Sequence, residues 1–226
     1  MLAGRFLKTG LTGLLLVSLA LGQASTPAAS LPGPLDVPRL TFTKTFHDSQ
    51  PAFVQITVTA DRQAAAEVRE TADQPPVNTT FIASPALTAR LFALAGELHY
   101  FAKPRLESKA KVGYLGEKML AYDDPAHHGQ QVFNFTQVRA AAELTQIFER
   151  ISNAADHAAR LEHVLRYDRL GVIRELARLQ EDWNSHQLAA PQVLFPVLTE
   201  IAADKALLHV ARHRAATLLQ EMQTAE

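Results

Sequence analysis

The sequence predicts an α+β protein: a small antiparallel sheet of about six strands packed on a helix, followed by an all-helical C-terminal bundle. Three observations indicate this class. Between residues 39 and 136, several short segments alternate apolar and polar residues, as in strands that bury one face. The links between the first segments are too short for parallel crossovers. From residue 137 to 183, apolar residues instead recur at three- and four-residue steps, as in helices that bury one stripe.

Composition limits the classes of function. The 226-residue chain is 47% apolar and 20% charged, as in a folded protein, and its formal net charge is −1. The absence of cysteine excludes disulfides, thiolate nucleophiles, Cys-ligated zinc and iron–sulfur clusters. A near-neutral chain has no general attraction to phosphate backbones, so we expect no nucleic-acid partner.

Residues 1–24 are typical of a secretory signal peptide. Arg5 and Lys8 give a positive start, residues 11–21 an apolar run, and residues 22–24 a small-x-small cleavage site. The apolar run is shorter than the roughly 20 residues that a spanning helix needs, which favours cleavage; an uncleaved N-terminal membrane anchor is the alternative. The sequence therefore predicts an exported protein, periplasmic or secreted, with no membrane span after signal cleavage.

Three further regions follow the predicted signal peptide. Residues 25–38 hold four prolines among small residues, which predicts a flexible linker. Residues 39–152 are predicted to form the sheet domain, and residues 153–226 the helical C-terminal region.

Four strands are predicted first, over residues 40–46, 53–59, 64–71 and 77–83. They are rich in Val, Ile, Thr and Phe and are separated by turns, so they form an antiparallel meander. Helix-capping residues come next: Ser84 is predicted as an N-cap, with Pro85 at the first helical position. The helix they open carries an apolar stripe made by Leu87, Leu91, Leu94, Leu98 and Phe101, and Pro104 helps to end it.

A second hairpin follows, with strands at 116–124 and 131–136 around a turn at 125–129. Phe133 and Phe135 share one face of its second strand, where they close the core over the helix.

The chain resembles a family of exported bacterial domains of unknown function. Residues 40–151, about half the chain, have the family's ββββ-α-ββ-α order. The Ser-Pro that opens the first helix is Ser84-Pro85, and the aromatic pair near its end is Tyr100-Phe101. Residues 48–52 stand where many members have a turn with a cysteine. The resemblance implies a fold and a compartment, and no activity.

The stretch from 137 to 183 is predicted to contain two or three packed helices. A break is predicted at Asn153, an N-cap type followed by the acidic Asp156. Two alternatives remain at residues 168–171. Either Asp168 caps a new helix, or Gly171 is a tolerated glycine inside one long helix. Glu175 and its neighbouring charges are predicted on solvated helix surfaces.

Two more helices complete the prediction, over residues 193–203 and 205–222. The apolar face of the second consists of Leu208, Ala211, Ala215, Leu218 and Met222.

No catalytic or cofactor motif is present. Ser84 and Ser108 lack the G-x-S-x-G turn, there is no S-x-x-K sequence and no Gly-rich phosphate loop, and we expect no cofactor. His209 and His213 are four residues apart, as two metal ligands on one helix face would be, and they are the weak candidates for a metal site. Without a third ligand, a solvated pair is the preferred interpretation.

The most distinctive polar cluster is Arg166, Tyr167, Asp168 and Arg169. These residues form the candidate interaction surface. A structural role explains them as well, with Asp168 as a helix cap and the stems of the two arginines covering apolar surface.

The sequence favours a non-enzymatic interaction or structural module of the bacterial envelope or secreted fraction, whose partner is another exported protein. The alternative is a hydrolase or small-ligand-binding protein whose site is assembled only in the fold. A cleft that gathers a histidine, a carboxylate and a hydroxyl would favour the alternative, and an exposed apolar patch would favour the module.

Overall fold

The computed structural model describes residues 37–47, 49–103 and 105–225. The predicted signal peptide, most of the predicted linker and Pro104 lie outside these residues. The predicted class is confirmed, because one antiparallel sheet carries helices and the C-terminal part is helical.

Six strands form the sheet, and β1 lies inside it. In chain order the strands are β1 (Arg39–Thr45), β2 (Phe53–Thr59), β3 (Gln63–Arg69), β4 (Val77–Ile82), β5 (Glu117–Asp123) and β6 (His128–Phe133). Their order across the sheet is β4-β3-β2-β1-β5-β6, and every neighbouring pair is antiparallel. The first four strands are thus a meander, and the later hairpin adds to the free side of β1.

Five α-helices accompany the sheet in the described part of the chain. They are α1 (Pro85–Glu97), α2 (Arg139–Tyr167), α3 (Gly171–Asn184), α4 (Phe195–Ala203) and α5 (His209–Thr224). Short 3₁₀ helices at His99–Phe101 and Pro191–Leu194 follow α1 and precede α4. Within the described ranges, none of the helices has the length and apolar character needed to cross a bilayer.

The core lies between one face of the sheet and the helices. Alternate residues of β1, β2, β3 and β5 are buried in it, as the period-two pattern predicts, and Phe81 of β4 and Phe133 of β6 join them. The ring of Phe42 stacks on that of Phe148 in α2 at 5.2 Å between centroids. The predicted helical stripe is buried along nearly its whole length, which confirms it: Leu144, Phe148, Ile151, Ala155, Ala158, Leu161, Leu165, Val172, Leu176 and Leu179.

The start of α1 agrees with its capping prediction. The Ser84 hydroxyl accepts a hydrogen bond from the Leu87 backbone N–H at 3.2 Å, and Pro85 is the first helical residue. Ser84 therefore has a structural role that accounts for it.

Replacing Ser84 with alanine is expected to lower the free energy of unfolding by about 1 kcal/mol, because the Leu87 N–H loses its side-chain acceptor. Urea denaturation measures the change. Ser84→Asn supplies another capping oxygen and should restore most of the loss, and an equal loss in both variants would contradict the capping role.

The first strand of the second hairpin, β5, lies within its predicted range, whereas the second strand, β6, begins three residues before its predicted start. β6 begins at His128, and the turn is shorter than predicted because the Asp124 side chain closes it, accepting the N–H groups of Ala126 and His127 at 2.7 and 2.6 Å. Phe133 is buried as expected, whereas Phe135 lies beyond the strand. Gly129 was predicted in the turn but lies in β6, where it pairs with Tyr122. It also contacts the backbone at Tyr100, a residue with a positive φ. A Cβ added to Gly129 would lie 2.1 Å from the carbonyl oxygen of Tyr100.

The predicted break at Asn153 is wrong, because α2 continues through this residue to Tyr167. The Asn153 side chain donates to the Gln187 carbonyl at 3.1 Å, so its amide ties α2 to the loop after α3 and does not cap a helix. The predicted boundary between residues 152 and 153 thus falls inside one helix, and the division into two regions stays a prediction.

The break at Asp168 is present. The carboxylate of Asp168 accepts the Gly171 N–H at 3.0 Å, α2 ends at Tyr167, and α3 begins at Gly171. Of the two alternatives, a new helix is therefore correct.

The last helix begins later than predicted. α5 starts at His209, so Leu208 precedes it and is exposed, and Leu207 is buried in its place. The other four predicted positions of its apolar face are buried: Ala211, Ala215, Leu218 and Met222.

Candidate functional site

A cleft of about 700 Å³ lies between the loop that follows β3 and the facing surfaces of α2 and α3. This volume is in the range of small-ligand sites in proteins. The loop side contributes Glu70, Thr71, Gln74, Pro75 and Val77, and the helices contribute His163, Tyr167, Glu162, Glu175 and four arginines, Arg160, Arg166, Arg174 and Arg178.

Two carboxylates meet one guanidinium beside the cleft. Nε of Arg160 lies 3.1 Å from Oδ2 of Asp156 and 3.4 Å from Oε1 of Glu70, so a residue of α2 holds the end of β3. The second oxygen of Asp156 is buried and has no hydrogen-bond partner among the described residues. The cluster therefore contains a half-buried acid whose second oxygen accepts no hydrogen bond from the described residues.

Asp156 has a strongly perturbed pKa. Burial raises it, the neighbouring Glu70 adds to the rise, and Arg160 opposes it, which together place the pKa at about 7. A carboxyl that changes charge near neutral pH beside a cleft has the property required of a general acid or base.

His157 is buried between two carboxylates from α3. Its Nδ1 lies 2.8 Å from Oε1 of Glu175, and its Nε2 lies 2.8 Å from Oδ2 of Asp182. Because both ring nitrogens face acceptors, the doubly protonated imidazolium, which donates from both, fits this site best. Burial acts to lower the pKa of His157, but the two carboxylates outweigh it and the pKa is raised.

Glu175 completes this cluster. Burial acts to raise its pKa, but the hydrogen bond from His157 prevails and lowers it. Arg178 adds a weak contact at 3.4 Å. The prediction that Glu175 lies on a solvated helix surface is wrong, since it is 4% exposed and faces α2.

Three arginines stand at the edge of the cleft with most of their surface in solvent: Arg166, Arg174 and Arg178. Each has one carboxylate at 3.4–3.6 Å, in the pairs Arg166–Glu162, Arg174–Asp168 and Arg178–Glu175. The pairs of Arg166 and Arg174 are solvent-exposed and contribute little, so these two guanidinium groups can exchange their partner for a ligand at small cost, whereas Arg178 pairs with the buried Glu175. We call these three residues the arginine rim.

The structure divides the predicted cluster of residues 166–169. Arg166 and Tyr167 line the cleft, Asp168 caps α3, and Arg169 turns to Asp204 at 3.7 Å. Tyr167 and the next apolar residue, Leu170, are both 76% exposed. The corner between α2 and α3 thus presents two large apolar side chains next to the arginine rim.

No family model matches the chain, and no curated protein matches it. The resemblance of residues 40–151 to exported bacterial domains stays a prediction.

The two histidines considered as metal ligands lie together on α5. The rings of His209 and His213 are 6.0 Å apart and nearly parallel. In the described residues no group of three or more His, Cys, Asp or Glu side chains has the arrangement of a metal site.

His157 and Asp182 were not predicted as site residues, and Asp156 was predicted only as the acidic residue that follows a cap at Asn153. A signal was present: Asp156 and His157 interrupt a run of alanines in the buried stripe of α2, where a polar side chain needs a partner. Their partners on α3 and β3 are distant in sequence, so the pairing itself had no local pattern.

Proposed function

We propose that this protein is exported and acts, without catalysing a reaction, by binding another envelope or secreted protein at the cleft and the α2–α3 corner. The observation that carries the proposal is the exposure of Tyr167 and Leu170 beside the arginine rim. Tyrosine and arginine are the types that most often supply binding energy at protein interfaces. Two large side chains that extend so far into water are suited to enter pockets of a partner.

The charge of the cleft indicates the chemistry of this partner. Four arginines line it against three glutamates, and Glu175 is already bonded to His157. The arginine rim turns three of these guanidinium groups toward solvent, and an acidic segment with an apolar pocket nearby matches it best.

Photo-crosslinking tests the proposal. A photoreactive amino acid at Leu170, in cells that export the protein, is expected to capture one discrete partner. The same group at Val132, an exposed apolar residue of β6, should capture none. Arg166→Glu with Arg174→Glu should abolish the product, and a product that survives both charge reversals would contradict an acidic partner.

The captured partner permits a quantitative test. Tyr167→Ala is expected to weaken its binding by about 2 kcal/mol, roughly 30-fold in Kd, as for a central aromatic residue of an interface. Val132→Ala should leave Kd unchanged. Isothermal titration calorimetry measures both, and equal affinities of the Tyr167→Ala variant and the parent would remove the corner from the interface.

The alternative function, hydrolysis, has one observation in its favour. Asp156, with a pKa of about 7, shares Arg160 with Glu70 beside the cleft, as a pair of acid–base carboxylates would require. Turnover of ester or glycan substrates by the purified protein, abolished in Asp156→Asn and combined with no crosslinked partner, would replace the proposed function with this one.

A further inference from the structure

The loop between the His99–Phe101 turn and β5 combines exposed apolar side chains with positive charge. Every residue from Lys109 to Leu115 is exposed. Val112, Tyr114 and Leu115 are 42%, 59% and 47% exposed, respectively. Single apolar residues on a surface need no explanation, but three within four positions form a local patch. We refer to residues 105–115 as the basic loop.

The charge of this region differs from that of the whole chain. The chain as a whole has a net charge of −1, whereas the basic loop and the residues just before it contain Lys103, Arg105, Lys109 and Lys111. Within the described ranges, none of these four cations has a carboxylate at ion-pair distance. The single acid, Glu107, accepts the Asn134 N–H at 2.6 Å. The cations are therefore free to meet an external anion.

The basic loop is fixed to the residues that directly follow β6 and β1. The Asn134 side chain accepts the Leu115 N–H at 2.6 Å and donates to the Gly113 carbonyl at 3.0 Å. The Ser108 N–H donates to the carbonyl of Phe135 at 2.8 Å. Tyr114 packs edge-on against Phe46 with 5.5 Å between ring centroids. A loop held in this way loses little conformational entropy when it binds.

We propose that the basic loop binds the surface of an anionic phospholipid bilayer. Val112, Tyr114 and Leu115 enter the interfacial layer, and the four cations face lipid phosphates. Lysine and arginine beside aliphatic and aromatic side chains are the composition of interfacial membrane contacts. The three apolar side chains project from an exposed loop, which suits a soft lipid interface better than a shaped protein pocket. The basic loop shares no residue with the lining of the cleft, so the inference is independent of the proposed function.

Tryptophan quenching by brominated lipids tests this contact in the full chain. The native Trp183 is removed as Trp183→Phe, and a single tryptophan is introduced as Tyr114→Trp or, in the control, Val132→Trp. Vesicles of equal phosphatidylglycerol and phosphatidylcholine should quench the probe at position 114 and leave that at position 132 unquenched. Phosphatidylcholine alone should quench neither. Residues 11–21 are common to both proteins, so the difference between positions reports the loop itself.

Charge reversal measures how much the lysines contribute to vesicle binding. Each cation near an anionic surface contributes roughly fivefold to binding, so Lys109→Glu with Lys111→Glu should lower the affinity for the mixed vesicles by about 25-fold or more. Arg166→Glu with Arg174→Glu, which removes the proposed partner's contacts, should leave quenching at position 114 unchanged. Leu115→Trp replaces the probe if circular dichroism shows that Tyr114→Trp alters the fold.

Three outcomes would overturn the inference. They are equal quenching at positions 114 and 132, quenching that persists after reversal of both lysines, and an equal loss on reversal of the two rim arginines. The last outcome would assign vesicle binding to the charge of the whole protein.

Discussion

Replacing His157 with alanine is expected to lower the free energy of unfolding by about 3–5 kcal/mol. The substitution removes the shared partner of Glu175 and Asp182, and Glu175 is buried, so it loses its main compensating charge. The shortened side chain also leaves a void where α2 meets α3. Equilibrium urea denaturation, followed by circular dichroism, measures the change.

Two matched variants separate this effect from general damage. His163 lies on the same helix but is exposed, so His163→Ala should change the free energy of unfolding by less than about 0.5 kcal/mol. His157→Leu with Glu175→Leu removes both buried charges and should cost less than His157→Ala alone, because well-packed apolar residues can replace a buried ion pair. If His157→Ala behaved like His163→Ala, the cluster would make no net contribution to stability.

Stability is expected to decrease between pH 5 and pH 8. The pKa of Asp156 is raised from 3.8 to about 7, so over this interval the native state holds a proton that the unfolded chain has released. The pKa of His157 is raised above 6.5, and its contribution is complete below pH 6.5 and lost as the pH rises through the native value. Both groups therefore favour the folded state at the lower pH.

Glu175 acts in the opposite direction, but over a different interval. Its pKa is lowered from 4.5, so its contribution is present above pH 4.5 and lost as the pH falls through the native value. The decrease from pH 5 to pH 8 should then be on the order of 2 kcal/mol, since one pKa unit corresponds to about 1.4 kcal/mol.

Urea denaturation at pH 5, 6, 7 and 8 measures this dependence. Asp156→Asn removes the acid and keeps the size of the side chain, so its stability should depend less on pH than that of the parent. A variant with the parent's full pH dependence would show that Asp156 does not titrate in this interval.

Features that depend on neighbours in sequence were predicted most accurately. The cap at Ser84, which was predicted, and the break at Asp168, which was one of two alternatives, each involve a side chain and an N–H three residues away, and both are present. The helical stripe was also recovered, because burial repeats along one helix face. Asn153 shows the limit of such patterns, since a residue with the chemistry of a cap bonds instead to Gln187, which only the folded chain brings near.

The position of the second strand of the later hairpin was predicted wrongly for a related reason. The aromatic residues at 133 and 135 fit the alternating pattern equally well. The pattern alone therefore does not fix where the second strand begins and ends. The side chain of Asp124 fixes the turn. The site was harder to predict, because its charges come from the end of β3, from α2 and from α3, and only the folded chain brings these elements together.

The position of β1 inside the sheet has a consequence for how the chain reaches its native state. β2 follows β1 at once and pairs with one side of it, whereas the other side pairs with β5, which is synthesised only after β2, β3, β4 and α1. During synthesis this side of β1 is therefore an open edge, and open edges of β-strands template association with other chains. A chain that ends before Glu117 keeps this open edge, so we expect it to aggregate or to bind chaperones. Pairing of β5 with β1 closes this edge.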